Sequence, residues 1–256
     1  DTLVFCENLK VKADSFSFVN RSFTVREMTF DKACFNLYVI RGDSGAIMNI
    51  EMFIDSLRGK QSAEAPANVS NEEEPGWLVG LRKVSVRNSR FTYREDEYEP
   101  VEYGVNWTDV DCRDLNVDVS EFHFGEDYTG MRVKGLSMVE KSGLVIRQLD
   151  GKVAARADNL LITESRIVLE RSSVDLIKLE FNWTPNQHDW RNFTTKMQQY
   201  YEIGPSYVSF IDLAYFNGVL RGIDNTVKCS GVVSNTINRL EGHDLYFELG
   251  EKSVFQ

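Results

Sequence analysis

The stretch Gly135–Glu170, GLSMVEKSGLVIRQLDGKVAARADNLLITESRIVLE, decides the predicted fold. Apolar and polar residues alternate in short runs bounded by Gly, Asp, Asn or Ser, a pattern typical of strands with one dry and one solvated face. The breaks fall at Lys141–Gly143, at a turn over Asp150–Gly151 and at Glu164–Ser165. The stretch therefore predicts four short strands.

The same alternation recurs along most of the chain, and the intervals between its breaks can be compared. The last apolar residue before a break is Phe30, Val86, Cys112, Met138, Ile162 or Phe210. The successive intervals are 56, 26, 26, 24 and 48 residues. The spacing predicts a recurring unit of about 25 residues, as in proteins whose units bury their apolar faces by stacking.

Two segments change the spacing of their apolar residues, and a third has few residues that can pack. Ile47–Leu57 and a segment near 189–201 show the three- and four-residue spacing of short helices. Residues 59–76 have a polar, charged composition that predicts a flexible linker or loop. We therefore divide the chain into an N-terminal β unit with a short helix (1–58), the linker (59–76) and a continuing series of sheet repeats (77–256).

The predicted fold class is mainly β, with two short helices. Strands with one apolar face need a cover, which a second sheet or closure into a barrel supplies. A long antiparallel sheet that curls without closing leaves an apolar trough instead. Periodicity alone does not choose among these three architectures.

Composition narrows the function classes. The chain has 256 residues, with 29 basic and 39 acidic side chains and a net charge of −10. This balance argues against nucleic-acid binding, which depends on clustered Lys and Arg. Apolar runs are shorter than the ~20 residues of a membrane-spanning helix. The chain starts at Asp1 without a signal pattern, so we interpret it as a processed or excised product.

The spacing of the cysteine, histidine and serine residues argues against a catalytic site. Cys6, Cys34, Cys112 and Cys229 lack the close spacing of metal ligands, which favours buried thiols, with one disulfide as the alternative. The three histidines are scattered, and Lys141–Gly143 reads as a turn rather than a nucleophile motif. We expect no enzyme activity, no metal and no cofactor.

Three short segments occur in the order found in one family. Glu140–Leu144 after Leu136–Met138, Asp1–Phe5 with Asn8–Val11, and Met48–Asp55 resemble elements of the AsmA/TamB-like proteins of Gram-negative bacteria, particularly those of Bacteroidetes. The chain lacks the membrane anchor and the long C-terminal domain of a complete member. The resemblance therefore covers an N-terminal periplasmic fragment.

The resemblance implies a periplasmic protein, anchored in the inner membrane by a segment before Asp1, whose sheet curls into an open β-taco. It implies that an apolar groove carries phospholipid acyl chains between inner and outer membrane. It alternatively implies assistance to outer-membrane protein assembly, with an outer-membrane assembly barrel protein as the partner.

Inward-facing apolar positions are the candidates for the lipid groove, and the alternative is that they form an ordinary core. These candidates are Val86, Phe91, Val117, Val119, Leu136, Met138, Leu144, Ile146, Ile162, Ile167 and Leu169. The rival function is a secreted β-sandwich that binds carbohydrate or acts in adhesion. Its aromatic platform would be formed by Tyr93, Tyr98, Tyr103 and Trp107.

Overall fold

The described strands all belong to one large β-sheet. The computed structural model describes residues 2–19, 22–42, 45–49, 78–96, 98–124, 127–184, 195–250 and 253–255. The fourteen strands are β1 (Val4–Ser17), β2 (Ser22–Gly42), β3 (Gly45–Met48), β4 (Leu78–Leu81), β5 (Lys83–Glu95), β6 (Asp109–Phe124), β7 (Thr129–Glu140), β8 (Val145–Ala155), β9 (Asn159–Leu169), β10 (Ser173–Asn182), β11 (Gln198–Ser209), β12 (Thr226–Asn235), β13 (Glu241–Leu249) and β14 (Ser253–Phe255).

Strand order follows chain order almost throughout. The sheet runs β1-β2-β5-β6-β7-β8-β9-β10-β11-β12-β13-β14, and β3 and β4 both pair with β2. Pairing is antiparallel except that β2 lies parallel to β4 and β5. The stretches 1–58 and 77–256 therefore contribute strands to one sheet. Within the described residues β1 and β14 do not pair, so the sheet is open, and the predicted mainly β, antiparallel fold class is confirmed.

Most predicted breaks are bulges inside long strands rather than turns between short ones. Glu164–Ser165 lies within β9, and Asp150–Gly151 lies within β8, so the predicted turn there is wrong. Of the three breaks in Gly135–Glu170, only Lys141–Gly143 connects two strands. Gly135–Glu170 consequently covers the end of β7 and all of β8 and β9, not four short strands.

The bulges share an unusual backbone conformation. Six non-glycine residues inside strands have φ between 49° and 53°, namely Lys32, Asn88, Asp114, Glu121, Glu164 and Asp244. Their side chains are all exposed. The register places the bulges of β2, β5 and β6 side by side, because Asp31 pairs with Arg87 and the Asn88 amide donates to Asn116 Oδ1. Bulges bend strands and increase their twist, so this row of bulges bends neighbouring strands together.

The direction of the bend follows from two aromatic rings. Phe30 and Phe35 lie on either side of the bulge in β2, and their ring centroids are 5.8 Å apart. In a straight strand five residues span about 16 Å. The rings meet because β2 bends toward the face that carries them.

The interval of about 25 residues has a mixed origin. The break after Cys112 is the bulge at Asp114, whereas the break after Met138 is the turn before β8. Strands β6 to β10 begin at residues 109, 129, 145, 159 and 173, a shorter and unequal advance. The breaks compared in the sequence are therefore bulges in some cases and a turn in another, so the intervals between them do not measure one structural unit.

The helices differ from the prediction. Ile47 and Met48 belong to β3, while 50–57 and the predicted linker 59–76 lie outside the described residues. Of the segment 189–201, residues 189–194 are also outside, and Gln198–Tyr201 belong to β11, so a helix there is wrong. A short helix α1 instead spans Phe210–Ala214, capped by Ser209 Oγ, which accepts from the Ile211 amide.

Candidate functional site

A row of apolar side chains crosses the sheet on one face. Directly paired residues of neighbouring strands share a face, so the register identifies its members. We call this set the apolar row: Val11, Met28, Val84, Val119, Val133, Met131, Val153, Ile162, Leu179, Tyr201 and Val233. Val11, on the edge strand, is exposed and the others are half-buried. The row extends from β1 to β12.

Ten of the eleven candidate groove residues fall on or beside this row or on the strand segments beyond the bulges, and Leu144 lies in the connection between β7 and β8. Val119 and Ile162 belong to the row, and Val86 pairs with Phe30 and with Val117 one step closer to the bulges. Phe91 pairs with Phe35, the residue whose ring meets Phe30 inside the bend. The remaining pairs beyond the bulges are Leu136–Leu149, Met138–Ile146, Ile146–Leu169 and Leu149–Ile167.

Burial separates the candidates into two groups. Val86, Val117, Leu144 and Leu169 are buried. The other seven candidates are half-buried, namely Phe91, Val119, Leu136, Met138, Ile146, Ile162 and Ile167. Four candidates are therefore buried as in an ordinary core, and the other seven, two of which pack against a buried cluster, keep part of their apolar surface in contact with solvent.

The opposite face carries ion pairs. Lys12 donates to Glu27 at 2.6 Å, and Lys152 contacts Glu164 at 2.7 Å. Hydrogen bonds from Lys152 and then Arg132 hold the pKa of the Glu164 carboxyl below its ordinary value. Exposed pairs of this kind add little stability individually, but they mark this face as the solvated one.

Asp118 is a carboxylate on the solvated face with three partners. Arg87 lies 2.5 Å and Lys83 3.1 Å from its oxygens, and Ser85 Oγ donates at 2.7 Å. Partial burial raises the pKa of Asp118, but the hydrogen bonds from Ser85, Arg87 and Lys83 outweigh burial and lower the pKa overall. Charged side chains and the apolar row therefore occupy opposite faces of one sheet.

A small cap covers the apolar face at one end of the strands. It consists of the loop before β6 and the segment around α1. Val105, Leu144 and Leu169 form a buried cluster, against which Ile146, Ile167 and Tyr215 pack. The Val105 amide donates to the Tyr215 carbonyl at 2.9 Å, which joins the loop before β6 to the end of α1. The cap was not predicted, because the five residues of α1 are too few for a helical period to emerge.

Asp212 fastens α1 to the sheet. Its carboxylate is only 2% exposed and accepts from the Arg171 amide at 2.9 Å and from Ser172 Oγ at 2.6 Å. Ser172 Oγ in turn accepts from the Ser209 amide at 2.9 Å. The turn between β9 and β10 is thereby tied to the start of α1.

The bend, the apolar row and the cap together define an open surface, which we call the trough. In the described part of the chain no second sheet lies over the apolar face, since all fourteen strands belong to one sheet. A surface of this kind matches long apolar molecules by contact area rather than by directed hydrogen bonds.

The four residues of the predicted aromatic platform each contact a different partner. Tyr103 stacks on Tyr215 with ring centroids 5.8 Å apart, and Trp107 stacks on Phe216 at 6.1 Å. Tyr98 lies under the Arg94 guanidinium, and the Tyr93 hydroxyl donates to Glu95. Tyr98 and Tyr103 line a cavity of about 390 Å³ together with Lys141 and Ser142.

The four cysteines are free thiols rather than a disulfide pair, and the prediction that they are buried holds for one of the four. Cys112 is buried, and Cys6, Cys34 and Cys229 are half-buried. Burial raises the pKa of the Cys112 thiol to about 11, with further repulsion from the Glu140 and Asp111 carboxylates. Among the described residues, no group of three His, Cys, Asp or Glu side chains is arranged to hold a metal ion.

Comparisons with protein-family models, with curated proteins and with solved structures find no match to this chain. Within the residues that the structure covers, every helix is too short or too polar to cross a bilayer.

Proposed function

We propose that the trough holds phospholipid acyl chains and that the protein moves phospholipid between the inner and outer membrane of a Gram-negative envelope. The observation that carries this proposal is the apolar row. It continues across ten neighbouring strands, from β1 to β12 without β3 and β4, on the inside of the bend, while ion pairs occupy the other face.

The physical basis is the transfer of methylene groups from water. Each buried CH₂ contributes about 0.8 kcal/mol, so an acyl chain that lies along the half-buried row gains favourable free energy without a specific polar ligand. The charged head group stays in water at the mouth of the trough. The half-buried side chains of Ile162 and Met138 are the expected contacts.

The cellular role rests on the resemblance to AsmA/TamB-like proteins. That resemblance supports a periplasmic location, an anchor in the inner membrane and either lipid transfer or assistance to outer-membrane protein assembly. In the second case an outer-membrane assembly barrel protein is the partner. Lipid transfer is the proposal that the apolar row favours, because assembly of a protein needs no continuous apolar surface.

The test is to extract the purified protein and to measure bound phospholipid by native mass spectrometry. Ile162→Glu places a charge in the apolar row, and we expect bound lipid to fall several-fold. Thr163→Glu is the matched control, because Thr163 pairs with Lys152 and Lys178 on the solvated face. Lipid-free wild-type protein, or equal lipid in both folded variants, would contradict the proposal.

A further inference from the structure

Exposed apolar side chains, two of them stacked on each other, project from the cap and from the segment that follows it. Trp107 is 61% exposed and Val219 is 84% exposed, and Phe216 and Ile223 are also exposed. We call these four residues the rim patch. They come from two segments, the loop before β6 and the segment after α1, which includes a 3₁₀ turn at Gly218–Leu220.

Several contacts hold the rim patch in place. The rings of Trp107 and Phe216 stack, and the adjacent Tyr103 and Tyr215 stack beside them. Asn217 Oδ1 accepts from the Val219 amide at 3.1 Å and so caps the 3₁₀ turn. The apolar side chains are therefore presented to solvent by a connected structure.

The charges that flank the rim patch are paired. Arg221 lies 3.6 Å from Glu102, and Arg171 lies 3.7 Å from Asp224. These two pairs therefore add no net charge beside the patch. An anionic surface gains no advantage over a zwitterionic one at this patch, and salt has little to screen.

We propose that the rim patch inserts into the interface of a lipid bilayer. Side chains that project from a turn, as Val219 does, suit penetration of a fluid surface better than the filling of a groove. Indole rings are favoured at the boundary between head groups and acyl chains. The proposal deepens the proposed lipid function, because Phe216 of the patch directly follows Tyr215, which packs on the cluster beside the trough.

The test is co-sedimentation of the purified protein with phosphatidylcholine vesicles at low and high salt. Val219→Ser should weaken binding by roughly tenfold, the factor expected for one valine side chain that no longer enters an apolar phase. Val19→Ser is the matched control, because Val19 is 94% exposed and lies in the turn between β1 and β2. Both substitutions lie on the surface, so both variants should fold.

The outcomes separate this inference from the proposed function. Vesicle binding that falls in Val219→Ser but is unchanged in Ile162→Glu supports the rim patch, whether or not lipid co-purifies with the protein. Wild-type protein that stays in the supernatant overturns it, and that result is expected if the patch instead docks another protein. Equal losses in Val219→Ser and Val19→Ser also overturn it.

Discussion

Individual residues set the bend of the sheet through their backbone conformation. Asp114 has φ 52° inside β6, although it carries a β-carbon that disfavours this region. We expect Asp114→Val to reduce the free energy of unfolding by about 1–2 kcal/mol, because a branched side chain crowds the backbone further in the left-handed conformation. Urea unfolding measures the change.

Two variants isolate the backbone contribution. Asp114→Gly should leave stability within about 1 kcal/mol of wild type, since glycine adopts positive φ freely. Lys134→Val places valine at an exposed position of β7 that is not among the positive-φ residues, so it should be tolerated. If Lys134→Val proves as damaging as Asp114→Val, conformation at residue 114 is not the cause.

Cys112 gives stability a dependence on alkaline pH. Its side chain is 2% exposed, and burial raises the pKa of the thiol from 9.0 to about 11. Above pH 9 the unfolded chain loses this proton while the folded protein retains it. The free energy of unfolding should therefore be fully retained below pH 9 and fall by about 2–3 kcal/mol as the pH approaches 11.

The measurement is a series of urea unfolding curves at increasing pH for wild type and Cys112→Ala. The variant starts from lower stability because a buried side chain is truncated, but it should lose less free energy between pH 9 and 11. Parallel pH profiles for the two proteins would show that Cys112 does not titrate in this way.

At the level of elements, the cap depends on one buried carboxylate. Asp212→Ala removes the acceptor for the Arg171 amide and for Ser172 Oγ, and buried donors without a partner are costly. We expect a loss of about 3 kcal/mol in the free energy that opposes local opening of the cap. Hydrogen–deuterium exchange should increase over residues 210–225 and stay unchanged in β5 and β6.

Asp224→Ala is the control for this prediction. Asp224 also approaches Arg171, at 3.7 Å, but its side chain is exposed, so its loss should change exchange little. Faster exchange throughout the sheet in Asp212→Ala would mean that the cap and the sheet open as one unit.

Elements also show where sequence patterns mislead. Met197 and Tyr200 have helical spacing, yet Tyr200 pairs with Glu180 on β10 and Ser234 on β12. Hydrogen bonding to a strand on each side stabilises β11 more than the weak helical spacing of its apolar residues would stabilise a helix. Lys32 and Glu164 carry no sequence signal for positive φ, since neither is Gly, Asn or Asp, so the sequence does not distinguish a bulge from a turn at these positions.

For the whole molecule, alternation was sufficient to predict a mainly β chain with one apolar face. It was sufficient to select groove candidates such as Val119 and Ile162, which lie on the apolar row. Alternation was insufficient to choose between a closed barrel and an open sheet, because that choice depends on pairing between distant strands. The parallel pairing of β2 with β5 across the segment 43–82 has no local signature.

The open strand order of the sheet has a consequence for size. In a barrel the number of strands fixes the diameter, so an added strand changes the interior everywhere. Here twelve strands follow one path, about 50 Å across at the usual strand spacing. A further strand paired with β1 or β14 would lengthen this path while leaving the cross-section unchanged. Reach and cross-section are therefore independent properties, and duplication of a hairpin would change only the reach.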